Sequence, residues 1–390
     1  LKRLLNSPEI EYVVNACDAG REGELIFKHV YDLSGSKKPV KRLWISSLED
    51  SAILDGMQHL RSAEEYRHLA EAAVCRSQAD WLVGMNATRA YTTKYFKKLT
   101  VGRVQTPTLA MLVERAGQIS NFQKEKYFNV ELDCDGIPAV KPKIFDPDEA
   151  EQLRSRCQGS EAIVTAVKET EKKVKAPKLY DLTTLQREAN RIYGMTAKQT
   201  LDTAQSLYEK KLITYPRTDS QYLTEDMEQT ARNVVRQIYE KYQLTGPFDQ
   251  PEQPDVKKVM NNSKVTDHHA IIPTMELASC HLDELKSWEE KILFLIAVHT
   301  VMAMSKDHIY QETEIEVECQ EEIFKAKGKI VLQDGWKLFE NCFKNKDRMA
   351  IVDPDQEMKE RMPKVTQGQT FYAVAAEKTE HFTSPPKPYS

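Results

Sequence analysis

Apolar residues recur at every second position in two widely separated stretches of this chain, and that pattern constrains the fold more than any other feature. In the first stretch Phe128, Val130, Leu132 and Cys134 alternate with Asn129, Glu131 and Asp133. In the second, Thr313, Ile315, Val317 and Cys319 alternate with Glu312, Glu314, Glu316 and Glu318. A period of two belongs to a strand with one buried face. Residues 162–167, 323–332 and 370–376 are further β-prone runs. The spacing therefore predicts one β domain assembled from two separated segments.

The block between them, about residues 180–304, reads as helical. The pattern over 182–193 predicts a helix closed by Gly194 as a C-cap, and Thr196 with Gln199 three positions on forms a capping box for a second helix running to Lys211. Helix, short glycine-containing turn, helix is the helix-turn-helix pattern. The uncharged run from Ile292 to Ser305 falls short of the roughly 20 residues a spanning helix needs, so it predicts a buried helix. At the other end of the chain, residues 12–17 read as a strand, 18–24 as its turn, 25–31 as a helix and 40–45 as a second strand. Residues 64–92 and 105–118 carry helical spacing, with 91–102 as their link, and 246–262 reads as a loop.

A length of 390 residues implies several domains at roughly 150 residues each. With 41% apolar and 29% charged residues the chain is globular, neither disordered nor fibrous. Lys plus Arg (55) nearly balances Asp plus Glu (59), so only local charge can argue for a nucleic-acid partner. The seven cysteines (Cys17, Cys75, Cys134, Cys157, Cys280, Cys319 and Cys342) are odd in number, dispersed and free of C-x-x-C, which supports neither a disulfide framework nor a zinc site. Residues 1–8 lack the apolar core of a signal peptide, so the expected compartment is the cytoplasm. The chain opens without Met and runs at once into an apolar stretch, as expected for a piece of a longer protein.

Four groups of residues can carry chemistry. Asp18, Glu22 and Glu24 sit at the carboxyl end of the first strand, where open α/β sheets place ligands, and Gly20 and Gly23 would let an ion or phosphate approach the backbone. Oxygen ligands without His or Cys suit Mg²⁺. The structural alternative is that Asp18 caps the next helix while the glutamates complement its dipole. No G-x-x-x-x-G-K-[ST] motif occurs. The link from Arg89 to Arg103 holds Lys94, Lys97, Lys98, Tyr91, Tyr95 and Phe96 and no acidic residue, a composition suited to single-stranded nucleic acid, or else a solvated loop. Lysine-rich residues 168–178 read as a hinge or a solvated face. In Thr214-Tyr215-Pro216-Arg217-Thr218-Asp219-Ser220, Pro216 disfavours helix at Tyr215. A tyrosine nucleophile, with an ordinary pKa of about 10, needs nearby positive charge, which Arg217 is placed to supply; a plain structural turn is the alternative. In Asp267-His268-His269 a histidine could contact a phosphate or shuttle a proton, or form a surface pair before a strand.

In order along the chain, Asp18-Ala19-Gly20-Arg21-Glu22-Gly23-Glu24-Leu25-Ile26, Arg42-Leu43-Trp44-Ile45-Ser46-Ser47 and Gly102-Arg103-Val104-Gln105-Thr106-Pro107-Thr108-Leu109 are followed by three more motifs. These are Leu182-Thr183-Thr184-Leu185-Gln186-Arg187-Glu188-Ala189-Asn190, Ile213-Thr214-Tyr215-Pro216-Arg217-Thr218-Asp219-Ser220 and His268-His269-Ala270-Ile271-Ile272-Pro273-Thr274. Together they resemble the successive motifs of type IA DNA topoisomerases, nearest the bacterial topoisomerase III branch, over essentially the whole chain. The resemblance implies a multidomain α/β and α+β protein with a toroidal fold. It places a partial TOPRIM domain at 1–46, a helical single-strand groove domain at 47–125 and a first β arch segment at 126–179. A helical, winged-helix-like domain carrying Tyr215 follows at 180–306, then a second arch segment at 307–380 and a truncated return into the groove domain at 381–390.

The activity so implied is ATP-independent. Tyr215 attacks a phosphodiester of single-stranded DNA, forms a 5′-phosphotyrosine and frees a 3′-hydroxyl; another strand passes, and the hydroxyl reseals the break, relaxing negative supercoils or decatenating DNA. By matching motifs Arg217 would steady the scissile phosphate and His268 would contact a neighbouring one. Arg76, Arg89, Arg103 and Gln105 would line the groove, and Asp18 and Glu22 would hold Mg²⁺. The implied partners are single-stranded, supercoiled or catenated DNA and a helicase or single-strand-binding protein, with the protein a monomer away from any membrane. Two departures stand out. Gly20 replaces the second aspartate of the usual Asp-x-Asp-x-Glu, leaving Glu24 or water to substitute. The first TOPRIM strand, with its glutamate and lysine, would lie upstream of Leu1, so the chain is expected to bind single strands but cleave poorly unless that strand is supplied. Two rivals remain: a TOPRIM-type primase or nuclease in which Tyr215 is structural, and a non-catalytic helix-turn-helix DNA-binding module on residues 182–211.

Overall fold

A computed structural model describes residues 1–45, 48, 50–244, 254–265, 268–340 and 363–389. Ser46 and Ser47 of the second motif, Asp267, Cys342 and the first part of the 246–262 loop lie outside the described residues. In chain order the elements are α1 (Lys2–Leu5), β1 (Val13–Asn15), α2 (Arg21–Ser34), β2 (Val40–Arg42), α3 (Asp50–Gln58), β3 (Arg61–Ser62), α4 (Arg67–Tyr95) and α5 (Gln105–Ser120). There follow β4 (Lys126–Cys134), β5 (Ile137–Ile144), α6 (Pro147–Cys157), β6 (Ala162–Val174), α7 (Leu182–Tyr193), α8 (Ala197–Glu209), α9 (Glu228–Tyr242) and α10 (Ser287–Ala303). The last strands are β7 (His308–Cys319), β8 (Glu322–Gln333), β9 (Thr370–Phe371) and β10 (Ala375–Phe382). Two compact units form, Leu1–Leu109 with Pro177–Ser305, and Ala110–Ala176 with Lys306–Ser390.

In the first unit β1 pairs in parallel with β2 across α2, the expected β-α-β unit, and β3 adds antiparallel to β2. Two strands of three residues bury little, so side-chain bonding holds the turn after β1, as described below. The helical half of this unit is stabilised locally. Gly194 closes α7 in the left-handed conformation at φ +67°, and both halves of the Thr196–Gln199 capping box form at the start of α8. Nearly every residue of α10 from Ile292 to Ala303 is buried. Among the described residues no helix is long and apolar enough to cross a membrane.

The second unit is built on one antiparallel sheet of order β10-β4-β5-β8-β7-β6-β9, so the two alternating stretches share a sheet. Phe128, Val130, Leu132 and Cys134 bury one face of β4, Ile315, Val317 and Cys319 that of β7, and Ala150, Leu153 and Cys157 of α6 join the same core.

Several readings need correction. The link at 91–102 is shorter than its composition suggested, because α4 continues through Tyr95, with Tyr91 and Tyr95 stacked one turn apart at 6.0 Å. Phe96, 94% exposed at φ +50°, ends the helix. Residues 168–174 are strand, not hinge: β6 pairs with β7 from Ile163 to Val174, and Lys172 and Lys173 reach Glu312 and Asp307 at 3.4 and 3.2 Å. The run at 370–376 divides into β9 and β10, and β10 continues to Phe382.

Candidate active site

The turn after β1 is organised by a buried arginine. Arg42, at the end of β2 and 1% exposed, donates Nε–H to Glu24 Oε1 at 2.7 Å. Its terminal nitrogens donate to the carbonyls of Asn15 (2.9 Å), Cys17 (2.7 Å), Leu43 (2.6 Å) and Asp18 (2.8 Å). Asn15 Nδ2 donates to both Glu24 oxygens at 3.2 and 3.3 Å. Glu24 is thereby consumed as the buried counter-ion of Arg42 and does not replace the missing aspartate. The N-cap of α2 is Gly20 with no side-chain cap, so Asp18 is not a helix cap either. Gly23 is required for a different reason than ligand approach: a Cβ there would overlap the Asp18 carbonyl oxygen, whereas nothing lies within 4 Å of a Cβ at Gly20. What the turn presents outward is Asp18, and Glu22 with its side chain 66% exposed.

Tyr215 meets this turn from a segment laced to residues 270–274. Thr214 N–H donates to the Ile272 carbonyl, Thr214 Oγ1 to that of Ala270, and Thr218 Oγ1 to that of His268, each at 3.0 Å. Pro216 keeps the chain out of helix just after the Ile213–Pro273 bridge. The Tyr215 hydroxyl donates to Asp18 Oδ2 at 3.3 Å, its ring lies edge-on to Tyr208 at 5.3 Å, and the His268 ring is 4.3 Å away. His268 Nε2 donates to the Ala19 carbonyl, which can only accept and so assigns the imidazole proton to Nε2. The same ring stacks beside Trp44, which Arg42 and Tyr66 flank.

Burial decides the protonation of both rings. Tyr215, 6% exposed, is pushed up to about 12, first by burial and then by the Asp18 carboxylate, with Arg217 pulling the other way and losing. Arg217 itself is exposed. His268, 4% exposed, is held down to about 4 by burial and is neutral. The surface-pair alternative fails for both histidines: His269 is also buried, its Nδ1 donating to the Ala270 carbonyl at 2.8 Å.

The basic residues fall into two sets. Arg76 on α4 lies 3.7 Å from Glu22 and 3.9 Å from Asp80, and Arg103 donates to Asp80 Oδ1 at 3.0 Å, so an exposed charge relay leads away from the acidic turn. Asp80 was missed; its signal was its place one helical turn after Arg76. Arg89 is exposed further along α4, and Gln105 opens α5 with its side chain folded over Gly102. Among the described residues no group of three or more His, Cys, Asp or Glu side chains is arranged to hold a metal ion.

A family model described as DNA topoisomerase matches residues 64–390, which is most of the chain. The chain belongs to the type IA DNA topoisomerase family. It is 39% identical over 398 residues to DNA topoisomerase 3 of Bacillus subtilis, covering 99% of this chain and 54% of that protein. Against DNA topoisomerase 3 of Staphylococcus epidermidis it is 38% identical, over 99% of this chain and 53% of the relative. The chain thus spans about half the length of the curated topoisomerases it matches. The structure of full-length topoisomerase I from Thermotoga maritima aligns with a TM-score of 0.73 at 24% identity, over 100% of this chain and 62% of that one, so this topoisomerase chain shares its mixed α/β fold.

Proposed function

We propose that this chain cleaves and reseals one strand of DNA through Tyr215, as a topoisomerase III-like enzyme that relaxes negative supercoils or decatenates DNA in the cytoplasm without ATP. The observation that carries this reading is the hydroxyl of a buried tyrosine placed on Asp18 at the carboxyl end of β1, beside a neutral histidine. In the forward step the phenolic oxygen forms a bond to phosphorus and the bond to the 3′-oxygen breaks. The phenolic proton leaves to an acceptor, for which Asp18 Oδ2 is already in contact, and the 3′-oxygen takes up a proton. Reversal restores the phosphodiester, and the phosphotyrosine conserves the bond energy in between. His268, neutral with Nε2–H as its donor, would turn that N–H from Ala19 to a phosphate oxygen, while exposed Arg217 would steady the scissile phosphate. Arg76, Arg89, Arg103 and Gln105 would follow the single strand away from the break.

The acidic turn fits Mg²⁺ in a two-carboxylate form. Asp18 and Glu22 are both exposed, and Mg²⁺ keeps several waters while binding through one or two carboxylates. When bound, the ion would offset charge on the phosphate. Glu24 would take no part.

The test is denaturant-trapped transfer of label from an end-labelled single-stranded oligonucleotide to the protein, with and without Mg²⁺, for wild type and Tyr215→Phe. A weak covalent 5′-adduct that Tyr215→Phe abolishes is expected. An adduct that survives Tyr215→Phe, or strand cleavage without any adduct, sinks the proposal in favour of a metal-dependent nuclease.

A further inference from the structure

A second cationic cluster lies on the segment that carries Tyr215 and is not used above. Tyr222 is half-buried, with Lys264 Nζ 3.5 Å from its hydroxyl and 4.9 Å from its ring centre, and Lys178 Nζ 5.5 Å from the same centre. The two lysines come from chain segments far apart in sequence, and buried groups pin all three backbones. His299 Nε2 donates to the Lys178 carbonyl at 2.7 Å, and Ser220 Oγ donates to that of Lys264 at 2.9 Å. Ala270 N–H donates to the Tyr222 carbonyl at 2.9 Å. Among the described residues neither lysine forms an ion pair with a carboxylate. Burial pushes the Tyr222 phenol up, but hydrogen bonds from Lys264 and Lys178 outweigh it and hold the group below the ordinary tyrosine value.

Two ammonium groups that converge with no counter-ion among the described residues raise the local potential, and a rigid cluster of this kind suits an anion. The half-buried ring adds a face on which an unpaired base can stack. Tyr222 follows Tyr215 by seven residues, at most about 25 Å even if fully extended, so a strand joined at Tyr215 can reach it.

We propose that Lys178, Tyr222 and Lys264 bind a backbone phosphate of the single strand beside the break, away from the scissile bond itself. The proposal rests on the cleavage reading of Tyr215. Its test is the salt dependence of binding of a fluorescent single-stranded oligonucleotide, with Lys178→Ala/Lys264→Ala compared with wild type. Each phosphate-neutralising lysine contributes about 0.7 to the slope of log affinity against log salt. The double variant should therefore flatten the slope by about 1.4 and weaken binding roughly 25-fold at 0.1 M salt. A control pair with the same loss of charge, Lys325→Ala/Lys327→Ala on β8, removes lysines that already face Glu316 and Glu314 and should leave the slope within 0.3 or so of wild type. Lys178→Arg/Lys264→Arg should keep the wild-type slope, which guards against loss of binding through misfolding.

An unchanged slope, an effect matched by the control pair, or an effect confined to duplex DNA overturns the proposal. The labelled-adduct assay on wild type separates the two readings. If the Tyr215-dependent adduct forms and the slope is unchanged, only the lysine site is lost. If no such adduct forms, the reading beneath it is lost as well.

Discussion

Replacing Arg42 by Met should loosen the acidic turn by a calculable amount. The substitution keeps most of the volume and removes the charge, so Glu24, whose side chain is 8% exposed, keeps only Asn15 Nδ2 as a partner. Breaking a buried ion pair from one side costs about 3–5 kcal/mol, because the remaining charge stays desolvated. The lost carbonyl bonds add little: Asn15 O still accepts from Leu43 N–H, and Asp18 lies at the surface. The lower end of the range, about 3 kcal/mol, is therefore expected. Hydrogen exchange of peptides spanning β1, the turn and the start of α2 reads this directly. At about 1.4 kcal/mol per tenfold, protected amides there should exchange on the order of a hundredfold faster, with α7 to α10 unchanged. Arg42→Met/Glu24→Gln should recover most of the loss, since a neutral carboxamide still accepts from Asn15. An increase below tenfold in the single variant, or a further loss in the double, would refute the argument that Arg42 is there to neutralise Glu24 and hold the turn.

Two further outcomes follow from other buried groups. Burial holds His299 down to about 4 while its ring stacks on Tyr180 at 3.7 Å. A folded-state pKa below the unfolded value of about 6.5 means the unfolded chain takes up the proton first, so stability from the neutral ring is complete above pH 6.5 and is lost as pH falls through 4. The loss approaches about 3 kcal/mol, and urea midpoints of wild type and His299→Phe should converge or cross between pH 7 and pH 4; parallel curves would contradict this. Gly23→Ala should distort the turn at a cost of about 1–3 kcal/mol, seen as lost exchange protection around residues 15–24, because its Cβ also meets the Asp18 carbonyl carbon at 2.9 Å. Gly117→Ala inside α5, with nothing within 4 Å, should be neutral or stabilising, and equal effects at the two sites would discredit the steric account.

The legible parts of the fold are those fixed by neighbours in sequence. Gly194, Thr196 and Gln199 act within one turn of their helices, so their pattern alone locates the α7–α8 junction, and the alternation in β4 and β7 needs only one buried face. What escaped was set by partners distant in the chain. The lysines of β6 are polar on both faces and become strand because β7 pairs alongside them, with Glu314 opposite Lys168 and Glu312 and Asp307 within reach of Lys172 and Lys173. Strand β5 carries Pro138 and Pro142, which argue against a strand from sequence alone, yet it pairs with β4 on one side and meets β8 on the other at a single register pair. Helix α6 did carry a local signal, Asp146 as N-cap with Pro147 in the first turn, that the surrounding β pattern obscured.

The candidate site divides along the same line. The residue types were readable: a tyrosine before proline, a carboxylate after a strand, a histidine before an apolar run. Their electrostatics were not, because charge acts through space and sequence distance misranks it. Arg217, two residues from Tyr215, was the obvious source of activation, yet it is exposed and its pull is weaker than that of Asp18, which lies 197 residues away in sequence and 3.3 Å away in space. Glu24 was one candidate, with water, to stand in for the missing aspartate beside Asp18 and Glu22, yet Arg42 takes it out of the acidic surface from a different strand. Both corrections have the same sign. Without DNA, the acidic turn offers fewer free carboxylates than the motifs suggest because Arg42 takes up Glu24, and the tyrosine is harder to ionise because burial, and then the Asp18 carboxylate, opposes its charged form. The 3.3 Å hydrogen bond that helps keep the phenol protonated at rest is also the contact through which its proton would leave on attack, so the protonated resting state of Tyr215 and its contact with Asp18 are one feature of the fold.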